Sequence, residues 1–456
     1  MSAAKEFRDI FWFGNLGKIY EDRIKDSGAI GLDRVRPGSF QKSKDEQLKI
    51  VSRKVLAGSY KFTPYKEKLI SKGKGKFPRV ISIPTVRDRI VLRGLCDLLA
   101  VVYPDRRLEL PQLTIGSLSE ALCSGEYSEY VKIDLKDFYP SIPHDLLLRS
   151  IKRKIRKKEI VDLILRAVEN PTVPSGRKGT GAERELRGVP QGLSISNILA
   201  EIALTTIDRL FGGNGQCWYK RYVDDILILT PAAKGRQIGD AVISALKSLG
   251  LEPHPFDKDD SKSKVGSLTE SFSFLGYQVT NGSISIRRES VLKFESSLAG
   301  IFTSYRHNLA TANTKEKRDR ALSRFIWRLN LRLTGCIFKE RRLGWVFYFS
   351  QINDTSCLRA VMNTVDSLLL RFALNSKVRP KSLIKVLYES RRRQTEMHRY
   401  IPNFDVMDVG QKRKILLMRL PKHRVGRMSD EQVEMAFDRS ISIAIRELEA
   451  DLASVS

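Results

Sequence analysis

The chain has 456 residues, enough for two or three packed subdomains, and its 42% apolar content places it among globular chains, not disordered ones. Its 80 Lys and Arg against 52 Asp and Glu give a net charge of +28, which points to a polyanionic partner; nucleic acid ranks ahead of an acidic membrane because no long apolar run, signal peptide or lipidation motif is present. Five widely spaced cysteines (Cys96, Cys123, Cys217, Cys336, Cys357) without a Cys-x-x-Cys argue against a zinc module and a disulfide framework, and fit reduced thiols in the cytoplasm.

Residues 1–42 open with an aromatic patch (Phe7, Phe11, Trp12, Phe13), read as a docking face. Ser43 and Glu46 have capping-box spacing at the start of a helix that runs to Leu56 and stops at Ala57-Gly58. Tyr60-Lys61-Phe62 is strand-like. In Lys68 to Pro84, two β-prone runs flank a glycine- and lysine-rich turn. That is a hairpin with a positive tip, suited to closing on an anion such as a triphosphate. Thr85 then opens an amphipathic helix through Leu99, with Asp88 near its start.

Val131 and Ile133 alternate with Tyr130, Lys132 and Asp134, so a half-buried strand ends with a carboxylate at its tip. Five residues on, Tyr139 can return to the same pocket as a flat wall under a sugar, where bulk excludes a 2′-hydroxyl. Six basic residues lie within Lys152 to Lys158, on a helix surface equally suited to water or to phosphates. After a polar loop from Pro174 to Arg187, Gly188 to Asn197 joins a turn to an apolar helix, Ile198 to Leu210. Its small and amide residues let a base pair approach the backbone.

Asp224-Asp225 sits between the β-prone runs Cys217 to Arg221 and Ile226 to Thr230, which reads as a hairpin whose turn carries the acids. Adjacent carboxylates suit Mg²⁺, a hard ion that leaves room for substrate phosphates, and Asp134 is a third oxygen ligand; the chemistry indicated is phosphoryl transfer. A helix from Gly239 to Leu251, the segment Ser261 to Val265 and a strand over Ser271 to Gln278 follow. Residues 290–375 are helical in pattern, with aromatic pieces at Phe325 to Leu329 and Leu343 to Phe349 expected in the core. From Arg391 to Arg427 eleven Lys or Arg stand against three acids, before a final helix from Ser429 to Ala453.

Taken in order, Asp134 with Tyr139, Gly188-Val189-Pro190-Gln191-Gly192, Tyr222-Val223-Asp224-Asp225, Lys262 and Phe274-Leu275-Gly276-Tyr277 resemble the motifs of reverse transcriptases. Gly28 to Phe40 and Arg79 to Arg89 are similar to the N-terminal and fingers motifs of bacterial reverse transcriptases related to group II introns and retrons. The resemblance implies an α+β right-hand polymerase fold. Its parts would be an N-terminal extension over 1–42, interleaved fingers and antiparallel palm over 43–290, a helical thumb over 291–375 and a basic helical C-terminal region over 376–456. It also implies RNA-directed DNA synthesis with two Mg²⁺ ions, Mn²⁺ being the alternative, held by Asp134 and Asp224 with Asp225 as supporting acid.

Residue by residue, the resemblance makes Tyr139 the steric gate and places Lys76 and Arg79 on the triphosphate. Gln191 and Gly192 lie beside the incoming base and template, and Phe274, Leu275, Gly276 and Tyr277 form the primer grip. Lys262 protonates pyrophosphate, with Lys264 the second candidate. The implied partners are a structured non-coding RNA template, a DNA primer or product and dNTPs, with a homo-oligomer or an accessory defence protein as further possibilities and no membrane. No His-rich or Cys-paired nuclease tail, RNase H carboxylate cluster or Val-Thr-Gly signature is found, so the resemblance falls on the free-standing antiphage reverse transcriptases of bacteria. Two alternatives stand beside it. One is template-independent or protein-primed synthesis by the same site. The other is an RNA-binding maturase or scaffold with a relic core, against which the intact Asp134, Asp224, Asp225, Tyr139 and Gln191 speak.

Overall fold

An alternating strand over Tyr130 to Asp134 and the unbroken apolar run Ile226 to Leu229 decide the centre of the molecule's first part. In the computed structural model, residues 2–71, 73, 75, 77–176, 185–213, 215–257, 261–392 and 398–449 are described. The chain forms two units, Met1–Glu109 with Glu126–Ser267, and Leu110–Gly125 with Leu268–Ser456.

Among the described residues the first unit has seven strands: β1 (Tyr65–Ile70), β2 (Arg79–Ile83), β3 (Glu129–Asp134), β4 (Thr172–Val173), β5 (Trp218–Tyr222), β6 (Asp225–Thr230) and β7 (Lys264–Ser267). Four of them make an antiparallel sheet in the order β5-β6-β3-β7. Ile226 to Leu229 are wholly buried, which is why β6 reads as a continuous apolar run, whereas β3 alternates. The pairing sets Asp134 directly opposite Asp225. A smaller sheet, β2-β1-β4, carries the β1–β2 hairpin expected from the Lys68 to Pro84 pattern.

Helix Val86–Val102 starts on Thr85, whose Oγ1 accepts from the Asp88 amide at 3.3 Å. The buried Asp88 carboxylate in turn accepts from Tyr60 Oη at 2.7 Å, Thr85 Oγ1 at 2.7 Å and the Thr63 amide at 3.2 Å. Tyr60 to Phe62 is therefore not a strand; it is an extended segment tethered to a helix start.

The expected docking face divides. Phe7 and Phe11 are fully buried in the first unit's core, with Leu16 and Tyr20, while Trp12 and Phe13 stay partly exposed. Apolar residues on helices Ala3–Ile10 and Phe13–Ile19 thus complete an internal core, so the N-terminal segment is integral to this unit. The expected capping box is absent as well. A 3₁₀ turn, Gln41–Ser43, winds directly into helix Lys44–Leu56, and Ser43 makes no side-chain cap. The apolar helix expected over Ile198 to Leu210 is two, Ser196–Ala203 and Thr205–Phe211, and the one expected from Gly239 is Gly235–Ser248.

In the second unit, β8 (Ser271–Phe274), β9 (Tyr277–Thr280) and β10 (Ser283–Ile286) form a meander. The single strand expected from Ser271 to Gln278 is folded back on itself, because Leu275 (φ +49) and Gly276 (φ +78) make a turn. Helices Arg288–Ala310, Lys315–Thr334 and Ser356–Arg371 supply the expected helical region, interrupted by a hairpin of β11 (Cys336–Phe338) and β12 (Arg341–Leu343). Its aromatics are core, as expected: Phe325, Trp345, Phe347 and Phe349 are buried, and Phe294 stacks on Trp345 at 4.2 Å.

The basic C-terminal region is not a solvated tail. Phe404, Leu416, Phe437 and Ile441 share a core with Leu331, Phe338 and Leu343. Several of its cations are spent on that fold. Arg413 donates to Val425 O, Met428 O and Asp430. Arg419 stacks on Trp327 and donates to Ser440 O. Lys414, Lys422, Arg424 and Arg427 are exposed. No helix among the described residues is long and apolar enough to cross a membrane.

Candidate active site

The two strands that flank the acidic pair are joined by a two-residue loop, Val223-Asp224, with Tyr222 paired to Asp225. Such tight loops need a positive φ at the first position. Val223 supplies it at φ +57, where a β-branched side chain costs on the order of 1–3 kcal/mol. Only Asp224 is in the turn; Asp225 is the first residue of β6 and faces Asp134 across the ladder.

Arg221, on β5, sits directly under that loop with its side chain 2% exposed. Its Nη1 donates to Val223 O at 3.0 Å and to Glu201 Oε1 at 2.9 Å, and its Nη2 to Glu201 Oε2 at 2.7 Å and Asp208 Oδ2 at 2.7 Å. Nε completes the set on Asp208 Oδ1 at 2.8 Å. Five donated bonds in a fork geometry are what an enclosed guanidinium requires.

Burial pushes the Asp225 carboxyl up to about 6; Asp134 and Asp224 add to the rise, and Lys132 opposes it. Its Oδ1 is buried without a hydrogen-bond partner, and the Lys132 ammonium stands 3.6 Å away. The Asp224 carboxyl is raised for the same reasons, first burial and then Asp134. Asp134 accepts an ion pair from Lys262 Nζ at 2.8 Å, so the lysine read as a proton donor stands beside the carboxylates. Among the described residues no set of three or more His, Cys, Asp or Glu side chains closes into a metal-holding group. The donors nevertheless fit a divalent cation: hard oxygens that repel one another, one of them buried without a hydrogen bond, are relieved by positive charge.

The other residues singled out in the sequence lie as follows. Tyr139 lies on a short turn of helix, Phe138–Ser141, entered through Asp137 at φ +39. Its hydroxyl donates to Asn197 Oδ1 at 2.7 Å. Burial raises the phenol, and Asp224 adds to this. Gln191 O accepts from the Ser82 amide of β2 at 2.7 Å. Gly192, at φ +96, packs so closely on β2 that a Cβ would stand 2.7 Å from Ile81 Cγ2. Arg79 begins β2, and its charge acts on both Tyr139 and Asp224. Lys76 lies outside the described residues. Phe274, Leu275, Gly276 and Tyr277 belong to the second unit, where they form the β8–β9 turn; Tyr348 Oη bonds Leu275 O at 3.2 Å, and Tyr277 Oη donates to Tyr348 O.

Four residues of this site escaped the sequence reading: Arg221, Glu201, Asp208 and Asn197. Glu201 carried a signal, since an acid inside the apolar helix Ser196–Ala203 must find a buried cation. Asn197 was read only as one of the amide residues of the Gly188 to Asn197 stretch, with no sign of its bond to Tyr139, and Asp208 carried no signal.

An antiparallel sheet that sets one strand's terminal carboxylate against the acids of an adjoining hairpin has the arrangement of the palm of a right-hand polymerase. Residues 70–279 match the family described as reverse transcriptase (RNA-dependent DNA polymerase). The chain is 27% identical over 184 residues to the COX1/OXI3 intron 1 protein of Saccharomyces cerevisiae, covering 38% of this chain and 20% of that protein. It is 25% identical over 166 residues to the intron 2 protein of the same yeast, covering 35% and 19%. It thus spans about a fifth of the length of these relatives. Among solved structures, telomerase from Candida albicans with a fragment of telomeric RNA aligns at 17% identity and TM-score 0.42, over 78% of this chain and 62% of that one. Apo telomerase from Candida tropicalis aligns at 15% and 0.41, over 72% and 62%.

Proposed function

We propose that the protein extends a DNA primer on an RNA template, with Asp134 and Asp224 as the residues that hold two Mg²⁺ or Mn²⁺ ions and Asp225 as the acid behind them. The observation that carries this reading is the register that puts Asp134 opposite Asp225, one residue from Asp224 at the hairpin tip. Asp134 and Asp224 would hold the cations, which would supply activation of the primer 3′-hydroxyl and stabilisation of the charge on the leaving phosphates. The bond formed joins O3′ to the α-phosphorus; the bond broken frees pyrophosphate. Lys262 delivers the proton that pyrophosphate takes up, and Arg79, with Lys76, neutralises the triphosphate. Gln191 and Gly192 seat the incoming base, and the second unit's Phe274 to Tyr277 turn serves as primer grip.

The test is primer extension on a heteropolymeric RNA with dNTPs and Mg²⁺. Complementary DNA of template sequence is the expected product; no extension on any RNA template would overturn the reading. Tyr139 is the sugar gate, so Tyr139→Ala is expected to raise NTP use relative to dNTP by about tenfold or more, measured as the ratio of kcat/KM. An unchanged ratio removes that role.

The template, in this proposal, is a dedicated structured non-coding RNA used in bacterial antiphage defence in the cytoplasm. What supports it is the similarity of Gly28 to Phe40 and Arg79 to Arg89 to bacterial motifs, and the positive surface of the C-terminal region. Truncating that region would open a shared core, so charge neutralisation is the better probe. Changing Lys414, Lys422, Arg424 and Arg427 to Gln is expected to flatten the salt dependence of RNA affinity by about 0.7 in log-log slope for each phosphate no longer neutralised. A slope equal to the parent's makes these cations solvated surface only.

A further inference from the structure

Val223 is held in a conformation its side chain disfavours, and the loop's own sequence offers no glycine or asparagine to ease it. Something outside the loop has to keep it there. Arg221 is the group that reaches it: one N–H of its fork donates to the Val223 carbonyl at 3.0 Å, while the other four bonds tie the same guanidinium to Glu201 and Asp208. Those two acids come from consecutive helices, Ser196–Ala203 and Thr205–Phe211, the first of which begins four residues after Gly192. Asp208 is itself fixed by Arg106 Nη1 at 2.7 Å and Tyr219 Oη at 3.1 Å. The guanidinium therefore links helices Ser196–Ala203 and Thr205–Phe211 to the backbone immediately before Asp224.

We infer that Arg221 is a positioning residue that clamps the strained Val223 peptide, so that the Asp224 carboxylate is presented to the catalytic cation. It touches neither substrate nor ion. It acts through the loop backbone, which explains why a buried arginine with the buried Glu201 and the half-buried Asp208 is placed where apolar residues would pack at lower cost. A lysine could keep the charge but could not span both carboxylates and the carbonyl with one ammonium. The inference rests on the reading of this hairpin as the polymerase's catalytic turn.

The experiment compares the parent, Arg221→Lys, Val223→Gly and the double variant, all full length, by Mn²⁺ affinity from electron paramagnetic resonance and by primer extension. Glycine adopts positive φ without strain, so a loop that no longer needs clamping no longer needs the arginine. Arg221→Lys is expected to weaken Mn²⁺ binding at least fivefold and lower kcat at least tenfold with dNTP KM changed less than threefold. The double variant should return to within about threefold of Val223→Gly alone. Parent-like Mn²⁺ affinity and kcat in Arg221→Lys would overturn the inference. So would losses that Val223→Gly fails to restore, because they would assign Arg221 to general packing. Should Arg221→Lys fail to fold, Arg221→Met with Glu201→Gln and Asp208→Asn, which leaves no buried charge unpaired, is read in the same way with and without Val223→Gly. If the parent extends no primer, the polymerase reading fails, and the Mn²⁺ affinities alone still decide whether the clamp exists.

Discussion

Asp224→Asn is expected to lower nucleotide incorporation by at least about 10³-fold while leaving protein folding and RNA retention at parent levels. The size follows from what is removed: an anionic oxygen ligand whose contribution to charge stabilisation in the transition state is several kcal/mol, at 1.36 kcal/mol per decade of rate. The selectivity follows from shape. Asparagine matches aspartate in volume and tolerates tight loops, so the β5–β6 hairpin and the Arg221 bond to Val223 O persist. Burial, and after it the repulsion from Asp134, raises the Asp224 carboxyl, and a neutral side chain escapes both, so the variant is expected to be no less stable than the parent. Single-nucleotide incorporation in a quenched-flow assay, with filter binding of RNA alongside, reads both quantities. Incorporation within tenfold of the parent would remove Asp224 from the cation site, and lost RNA retention would mean that the loop had collapsed.

How much of this was legible in the sequence depends on whether the signal was local. The palm strands were, because period-2 alternation in Tyr130 to Asp134 and the apolar run Ile226 to Leu229 are set by burial on one face or two. The β1–β2 hairpin and the helix on Thr85 were legible from turn and cap chemistry. What failed to show was decided by contacts distant in the chain. Phe7 and Phe11 look like a surface patch until the core they fill is assembled, and Tyr60 to Phe62 looks like a strand until Asp88 takes its hydroxyl. The capping box at Ser43 failed because the preceding residues already wind as a 3₁₀ turn and leave no end to cap.

The site was legible in its donors but not in its supports. Asp134, Asp224, Asp225, Lys262, Tyr139, Gln191, Gly192 and Arg79 share the first unit, where Asp134 at the end of β3 faces Asp225 next to the Asp224 turn, Lys262 pairs with Asp134, and the Arg79 charge acts on Tyr139 and Asp224. Phe274 to Tyr277 lie in the second unit, whose longer segment starts at Leu268, within the stretch expected as one block to residue 290. Chemistry that needs a particular atom leaves a motif; support needs only a bond of the right reach, which many residue types supply. Arg221 and Asn197 are of that second kind, and only distances reveal them.

In the metal-free protein, Asp225→Asn is expected to raise stability by about 1–3 kcal/mol at pH 7.5, with the gain shrinking below pH 6 and vanishing near pH 4. Burial, with Asp134 and Asp224, lifts this carboxyl from the ordinary aspartate value of 3.8 to about 6. A raised acid holds its proton more tightly folded than unfolded, so between those values the native state binds more protons and stability falls as pH rises. Above pH 6 the whole penalty, about 3 kcal/mol for such a rise, weighs on the native state. Asparagine never ionises and escapes it; losing the attraction of Lys132 at 3.6 Å takes back part of the gain. Mg²⁺ should narrow the difference, since a cation that binds only the native parent stabilises it by mass action. Urea unfolding at pH 4.5 and 7.5, with chelator and then with Mg²⁺, separates these contributions. A variant less stable than the parent at pH 7.5 in chelator would mean that Lys132 already compensates the buried charge. A more stable variant that incorporates nucleotides poorly would show that Asp225 is kept at the expense of the fold, for the sake of the cation beside it.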